Sequence, residues 1–463
     1  MLRTKLNELF KQWRPAFKQQ RTCERATQLA VGLLCGMGRR TITRAICFLN
    51  LQFQEWSAHY RFFSRSKWEP NDLFEPVIKQ AVPRFCHSII AVAFDDTAVK
   101  RTGKKLSVAR WLRDPMSPPF RANLIWGVRF LQASLLLPLY RDHENSSARG
   151  LPLCFEQSIP VKKPRAKATD EEKKAWKNRQ KQSNLSTHFR AMVGGLRVRL
   201  DAAGQAAKTL VAVVDGSYCN RTTFGKPLGE RKVLLARCRK DIRLCYPAPE
   251  GSRGVYGKEK FTPEDVAKDD RIPWRKVRIY HGGRFREVSY KEVKGVLWEG
   301  GGKRRLLRLL VVRPVAYRKT KKGRLYYRQR AYLLCDDLTL AAKELLQSYF
   351  DRWEIEVNHR DEKEILGVGQ AQVWSAKSHP RQPAFAVAAY SLLLLAGLLA
   401  YGPARATDYE ALPKWRKKAR RPSCLDLVTL LRRQTEEHRQ QKQDEGGFDS
   451  VLGYSTMVKT AAA

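Results

Sequence analysis

The stretch Tyr349-Phe-Asp-Arg-Trp-Glu-Ile-Glu-Val-Asn-His-Arg-Asp-Glu-Lys363 decides how this chain is read. On an α-helix, residues three, four and seven apart share a face, so Tyr349, Arg352, Glu356 and Lys363 fall within roughly 60° of one another. One stripe then carries a phenol, a guanidinium, a carboxylate and an ammonium, a single acid among three groups that bind phosphate. A solvated helix face shows similar charges, and the stripe acquires meaning from the acids upstream of it.

Two apolar runs each end on such an acid. Ile89-Ile90-Ala91-Val92-Ala93-Phe94 is continuously apolar, as a strand covered on both faces is, and leads into Asp95-Asp96-Thr97. The run from Thr209 to Val214 repeats the pattern and leads into Asp215-Gly216-Ser217. Open α/β sheets collect their sites at the carboxyl ends of strands, so Asp96, Asp215 and Glu356 are expected to converge although they are remote in the chain. Carboxylates are hard oxygen donors that favour Mg²⁺, with Mn²⁺ able to substitute, over zinc. Two such ions about 4 Å apart would neutralise the three acids and clamp a phosphodiester. Taken singly, each Asp also reads as a turn cap. Asp95 rivals Asp96, because neighbours on a strand point to opposite faces and only one of them can face the metals.

Composition names the partner. The 463 residues include 88 Lys and Arg against 45 Asp and Glu, a net charge of +43. That excess implies a polyanion. The basic residues are spread through folded-looking segments beside aromatics and are not confined to one amphipathic stretch, so a nucleic acid is expected and a membrane surface is not. The ten cysteines form no CxxC pair and no Cys/His cluster at zinc spacing. They read as reduced thiols of a cytoplasmic protein. Met1 to Arg21 lacks the apolar run of a signal peptide. Ala384 to Gly402 is uncharged and long enough to span a bilayer, but Tyr390, Ser391 and Gly397 interrupt it and it reads as a buried helix.

The length predicts two or three domains. Residues 1–85 read as an N-terminal helical, DNA-binding region, in which Gly36 to Thr41 forms a tight basic turn between two helices. This is the pattern of a helix-turn-helix or of a plain αα-hairpin. Residues 86–240 alternate strands and a helix, with strands expected at Leu124 to Leu131, Ser134 to Leu139 and Lys232 to Arg239, and a helix from Leu185 to Ala206. Residues 241–335 read as a β-rich insertion punctuated by Gly and Pro. Its last hairpin interleaves tyrosines with Arg318, Lys319, Lys321, Lys322 and Arg324, a composition suited to a sugar-phosphate surface. Residues 336–402 hold one long helix, capped by Asp337 or Thr339 and running through the stripe, and then the apolar helix. Residues 403–463 are a basic tail, expected to be disordered from about Gln440.

The chain resembles the bacterial insertion-sequence DDE transposases, in the branch whose signature is Tyr, two residues, Arg, three residues, Glu, six residues, Lys. Tyr349, Arg352, Glu356 and Lys363 match every spacing, and Trp353 and Ile355 stand where that branch favours an aromatic and an apolar residue. The resemblance runs from Ser88 to about Gly402, with a further likeness at Tyr60-Arg61-Phe62-Phe63-Ser64. It implies an α/β, ribonuclease-H-like mixed-sheet catalytic core with a β-rich insertion and an N-terminal helical domain. It also implies Asp96, Asp215 and Glu356 as ligands of two Mg²⁺ ions, and Tyr349, Arg352 and Lys363 as contacts to DNA phosphates. The expected partner is double-stranded DNA, and the expected activity is cleavage of a mobile element's terminal inverted repeats and joining of the 3′ ends to target DNA. A homodimer or larger assembly would carry it out in the bacterial cytoplasm, at the nucleoid. Some members pass through a DNA hairpin and hold a flipped base on an aromatic residue, for which Trp274 and Trp298 are candidates by type. A nuclease that cuts without joining and a non-catalytic DNA-binding derivative share the same sequence features.

Overall fold

A computed structural model describes residues 1–445 except 85–87, 104–105, 115–116, 119, 141–146, 160, 162, 166, 319–322 and 417–418. The chain forms two compact units, one made of 1–76 with 361–463 and the other of 77–360.

The second unit is a mixed α/β structure, and twelve strands are described in it: β1 (Ile89–Lys100), β2 (Arg110–Arg113), β3 (Leu124–Pro138), β4 (Ala148–Ser158), β5 (Thr209–Val214), β6 (Lys232–Cys238), β7 (Arg275–His281), β8 (Arg284–Val296), β9 (Leu307–Val312), β10 (Ala316–Arg318), β11 (Leu325–Tyr327) and β12 (Ala331–Cys335). Ten of them make one sheet in the order β2-β3-β1-β5-β6-β12-β9-β8-β7, with β4 on the remaining part of β3. β1 runs antiparallel to β3 and parallel to β5, and β5 runs parallel to β6. β10 and β11 pair only with each other.

Several elements differ from the sequence expectation for identifiable reasons. The runs at 124–131 and 134–139 are one strand, β3, since Gln132 and Ser134 are buried and bond to each other (Nε2 to Oγ, 3.1 Å), which removes the apparent break. β4 contains Pro152, which hides a strand in sequence. It pairs only with β3, the edge position where a missing N–H is tolerated. The region 241–335 does not close on itself: β12 lies between β6 and β9, so β7, β8, β9 and β12 continue the core sheet while β10 and β11 stand apart. The expected long helix is two, Ala342–Asp351 and Trp353–Arg360, meeting at Arg352. Its N-cap residue is Ala341, while Asp337 Oδ1 accepts from the backbone N–H groups of Thr339 (2.8 Å) and Leu340 (2.6 Å) in the turn before it.

Helices lie on both faces of the sheet. Ile89, Val211, Val213, Val233 and Leu235 pack with Leu345 and Leu346 of the first of these helices, and Ala91, Ala93, Leu136 and Ala148 pack with Ile355 of the second. On the opposite face Phe94 meets Phe189 of the helix Leu185–Ala202, ring centroids 5.1 Å apart. Side chains alternate along a strand, so odd-numbered positions of β1 and β5 face the 342–360 helices and even-numbered positions of β1 face the 185–202 helix.

The other unit is helical. The helices Leu2–Lys11, Gln20–Cys35, Ile42–Phe48, Ser57–Ser64, Ser378–Tyr401 and Cys424–Glu445 surround a core that includes Trp13, Phe17, Phe62, Phe63, Trp68 and Phe385. Ser378–Tyr401 is long and apolar enough to cross a membrane, and 78% of its apolar window is buried, as in the core helix of a soluble protein. The turn before Ile42–Phe48 is capped by Thr41, whose side chain accepts from the Arg44 N–H, as the sequence predicts. Arg40 in that turn is buried and donates to the carbonyls of Leu33 (3.2 Å) and Ile365 (3.3 Å), which makes it a clamp rather than an exposed basic residue. Helix continues to Glu445, past the expected onset of disorder at Gln440, because Gln, Lys and Glu are good helix formers.

Candidate active site

The acids of β1 do not end the strand. β5 pairs with β1 from Ile89↔Thr209 to Ala93↔Val213, whereas β3 pairs with it without a break from Val92↔Leu135 to Lys100↔Gly127. Asp95 and Asp96 therefore sit where the parallel neighbour has turned away and the antiparallel one still supports the backbone. Two residues beyond the Ala93↔Val213 pair, Asp95 and Asp215 come level and share the face that Ala93 and Val213 give to the 342–360 helices. Asp96 points to the other face.

The contacts agree with this parity. Arg352 Nη2 donates to Glu356 Oε1 at 2.7 Å, one turn away, and Arg352 Nη1 is 4.0 Å from Asp95 Oδ2. Asp95, Arg352 and Glu356 thus form a chain on the helix face. Asp96 Oδ2 is 3.3 Å from Arg129 Nε, and its Oδ1 accepts from Tyr218 Oη at 3.4 Å. Tyr218 also packs on Phe189, ring centroids 5.3 Å apart. Asp215 terminates β5, and its Oδ1 accepts from Ser217 N–H (2.9 Å) and Oγ (2.6 Å).

Electrostatics mark the cluster. Burial, and then the charge of Asp215, push the Asp95 carboxyl up to about 7, against the opposing pull of Arg352. Asp96 is also raised, by burial and then, against the pull of Arg129, by Asp215. Tyr218 is raised by burial and by all three aspartates, which keeps its phenol protonated and donating. Like charges gathered in a partly desolvated place hold one another protonated unless a cation compensates them. Hard oxygen donors in that condition suit a divalent ion such as Mg²⁺. Among the described residues no three His, Cys, Asp or Glu side chains are already arranged to hold a metal, and Arg352 is the cation that lies against Asp95 and Glu356.

Gly150 of β4 seats the Glu356 helix. Asn358 Nδ2 donates to the Gly150 carbonyl at 3.0 Å, and a Cβ on Gly150 would lie 2.6 Å from Asn358 Oδ1 and 3.0 Å from the Glu354 carbonyl. Only glycine admits the helix at this distance.

Tyr349 and Arg352 line a small pocket of about 80 Å³ with His281, Arg313, Arg328 and Trp353. The Arg328 guanidinium lies 5.9 Å from the Trp353 ring centroid. Burial, followed by the charges of Arg328 and Arg286, depresses His281 to about 4. Arg318 and Arg324 are exposed on the β10–β11 hairpin beside the exposed Tyr327, while Lys319, Lys321 and Lys322 lie outside the described residues. Lys363 is exposed on a π-helical turn, Asp361–Ile365, in the other compact unit. The α-helical spacing that set it on the stripe with Glu356 ends at Arg360. Trp298 is buried against Phe224, ring centroids 5.8 Å apart, and Trp274 stacks under Lys291 at 4.8 Å.

The sequence alone assigns no role at the site to Arg129, Tyr218, Gly150, Asn358 or Arg313, and it places Arg328 only in the basic hairpin. Strand register is what finds Arg129 and Gly150, and no motif in the sequence carries it. A family model described as DDE superfamily endonuclease matches residues 12–305, a span that includes Asp95, Asp96 and Asp215 and ends before Glu356. No curated protein matches the chain.

Proposed function

The chain belongs to the DDE superfamily endonucleases, and from that premise we propose that it is a DNA transposase that binds the terminal repeats of a mobile element, cleaves its ends and joins them to target DNA. The fold supports a ribonuclease-H-like core, since β4-β3-β1-β5-β6 is a mixed five-strand unit whose two parallel central strands deliver acids to one place. The observation that carries the reading is the levelling of Asp95 with Asp215 on the face of the helix that holds Glu356. From sequence alone Asp96 was the expected ligand; strand parity and the Arg129 and Tyr218 contacts favour Asp95, Asp215 and Glu356, with Asp96 as their support from the other face.

Two Mg²⁺ or Mn²⁺ ions held by these carboxylates would supply activation of water or a 3′-hydroxyl and stabilisation of the leaving oxygen. The protein's own part is to grip and orient. Arg352 and Tyr349 meet phosphates beside the acids, Arg318 and Arg324 with the neighbouring Lys319, Lys321 and Lys322 hold the backbone further out, and Lys363 adds a further basic contact. The net charge of +43 brings the DNA in. The protein works in the cytoplasm at the nucleoid, as a homodimer or larger assembly on two DNA ends.

The test uses purified protein, Mg²⁺, DNA carrying the inverted repeats that flank the gene, and a target plasmid. Cleaved ends covalently joined to the plasmid are expected, and Asp215→Ala and Glu356→Ala are expected to bind the DNA and give neither product. Cleavage without joining would reduce the reading to a nuclease, and absence of metal-dependent nicking by the parent would end it.

A further inference from the structure

Arg352 faces two ways. Toward the sheet its guanidinium holds Glu356 at 2.7 Å and approaches Asp95 at 4.0 Å, with only 15% of the side chain exposed. It also lines the pocket that Arg313 and Arg328 line. Among the described residues neither Arg313 nor Arg328 has an ion pair with a carboxylate, so the pocket concentrates positive charge without internal compensation. His281 in the pocket wall is depressed by burial first, and then by the charges of Arg328 and Arg286. Guanidinium groups so placed suit a phosphate oxygen, with which they make short, charge-assisted hydrogen bonds. Arg352 also stands at the joint between the helices Ala342–Asp351 and Trp353–Arg360.

We propose that Arg352 is an exchange residue that couples DNA binding to metal binding. In the DNA-free protein it serves as the counter-ion of Asp95 and Glu356, and a DNA phosphate entering the pocket with Arg313 and Arg328 draws the guanidinium away and frees both carboxylates for a divalent cation. The inference rests on the reading of Asp95, Asp215 and Glu356 as the metal ligands. No covalent bond changes; one cation replaces another on the same oxygens. The coupling is reciprocal, because a ligand that raises the affinity of a second is itself bound more tightly by the same factor. Its consequence is that the protein stays unloaded, and unable to nick, until DNA is seated.

The full chain is titrated with Mn²⁺, free Mn²⁺ being read by its electron paramagnetic resonance signal, with and without a blunt-ended DNA duplex of mixed sequence, and the binding of the duplex alone is subtracted. The parent is expected to bind Mn²⁺ weakly alone and roughly tenfold more tightly with DNA, within the usual range of coupling between two sites. Arg352→Gln is expected to bind Mn²⁺ roughly tenfold more tightly than the parent without DNA, and to gain little when DNA is added. Arg328→Gln, which does not touch the acids, is expected to match the parent without DNA and to show a smaller gain with it. An unchanged DNA-free affinity in Arg352→Gln, or no gain for the parent on adding DNA, overturns the coupling. Should Arg352→Gln fail to fold by thermal melting, Arg328→Gln decides alone, a full gain being the overturning result. The underlying site is checked separately: Mn²⁺ binding by Asp95→Asn or Glu356→Gln equal to the parent's would remove the metal site itself.

Discussion

Gly150→Ala probes how closely the acid-bearing helix must sit on the sheet. The added Cβ would lie 2.6 Å from Asn358 Oδ1, 3.0 Å from the Glu354 carbonyl and 3.1 Å from Glu354 Cβ, where ordinary contact begins at 3.4 Å. Asn358 can escape only by giving up its 3.0 Å bond to the Gly150 carbonyl, and the Glu354 carbonyl is helix backbone. The helix must therefore retreat by several tenths of an ångström, and overpacking of this kind costs about 1–3 kcal/mol. Glu356 moves with it, and a displacement approaching 1 Å at a catalytic group costs about a hundredfold in rate. Urea unfolding followed by the fluorescence of the chain's tryptophans gives the stability change, and single-turnover cleavage of end-bearing DNA gives the rate. Asn358→Ala in the Gly150→Ala background should restore part of the loss, since the two residues touch and their effects cannot add independently. A Gly150→Ala protein with parental midpoint and parental cleavage would refute the seating of this helix on β4.

Two further outcomes follow from the charges. Asp95 has a folded pKa of about 7, above the roughly 3.9 of an unfolded aspartate, so the folded state binds more protons between those values and loses stability as pH rises through them. Asp95→Asn should be more stable than the parent at pH 8 in the absence of divalent ions, with the difference closing as the pH falls toward about 4. Thermal melts across that range check it, and a parent that gains stability on going from pH 5 to 8 relative to the variant would contradict it. Arg318→Ala and Arg324→Ala should each lower the slope of log affinity against log salt by about one without changing preference among DNA sequences, read by fluorescence anisotropy.

What the sequence discloses and what it withholds divide along one physical line. Apolar runs reveal β1 and β5 because burial on both faces leaves a local signature, and alternation reveals β6. The helix stripe reveals Tyr349, Arg352 and Glu356 because side-chain spacing on a helix is local too. Register is not local. Whether Asp95 or Asp96 faces Glu356 depends on which residue of β5 lies beside β1, and neither strand's own sequence states it. β4 was missed because Pro152 argues against a strand unless its edge position is known. Gly150 carries no local signal of its role, because its partner Asn358 lies 208 residues away. The π-turn at Asp361–Ile365 takes Lys363 out of α-helical spacing although the sequence spacing is intact. The continuation of the core sheet through β12, β9, β8 and β7 is likewise a matter of long-range pairing that alternation within each strand does not encode.

The most direct measurement sets Asp95→Asn beside Asp96→Asn in Mg²⁺-dependent cleavage of DNA carrying the flanking inverted repeats, with DNA binding measured in parallel. Asp95→Asn is predicted to bind DNA and leave it uncut, and Asp96→Asn to cut more slowly, having lost the acceptor that Arg129 and Tyr218 hold. Parental cleavage by Asp95→Asn, together with its abolition in Asp96→Asn, would contradict the convergence of Asp95, Asp215 and Glu356 on one face of the sheet.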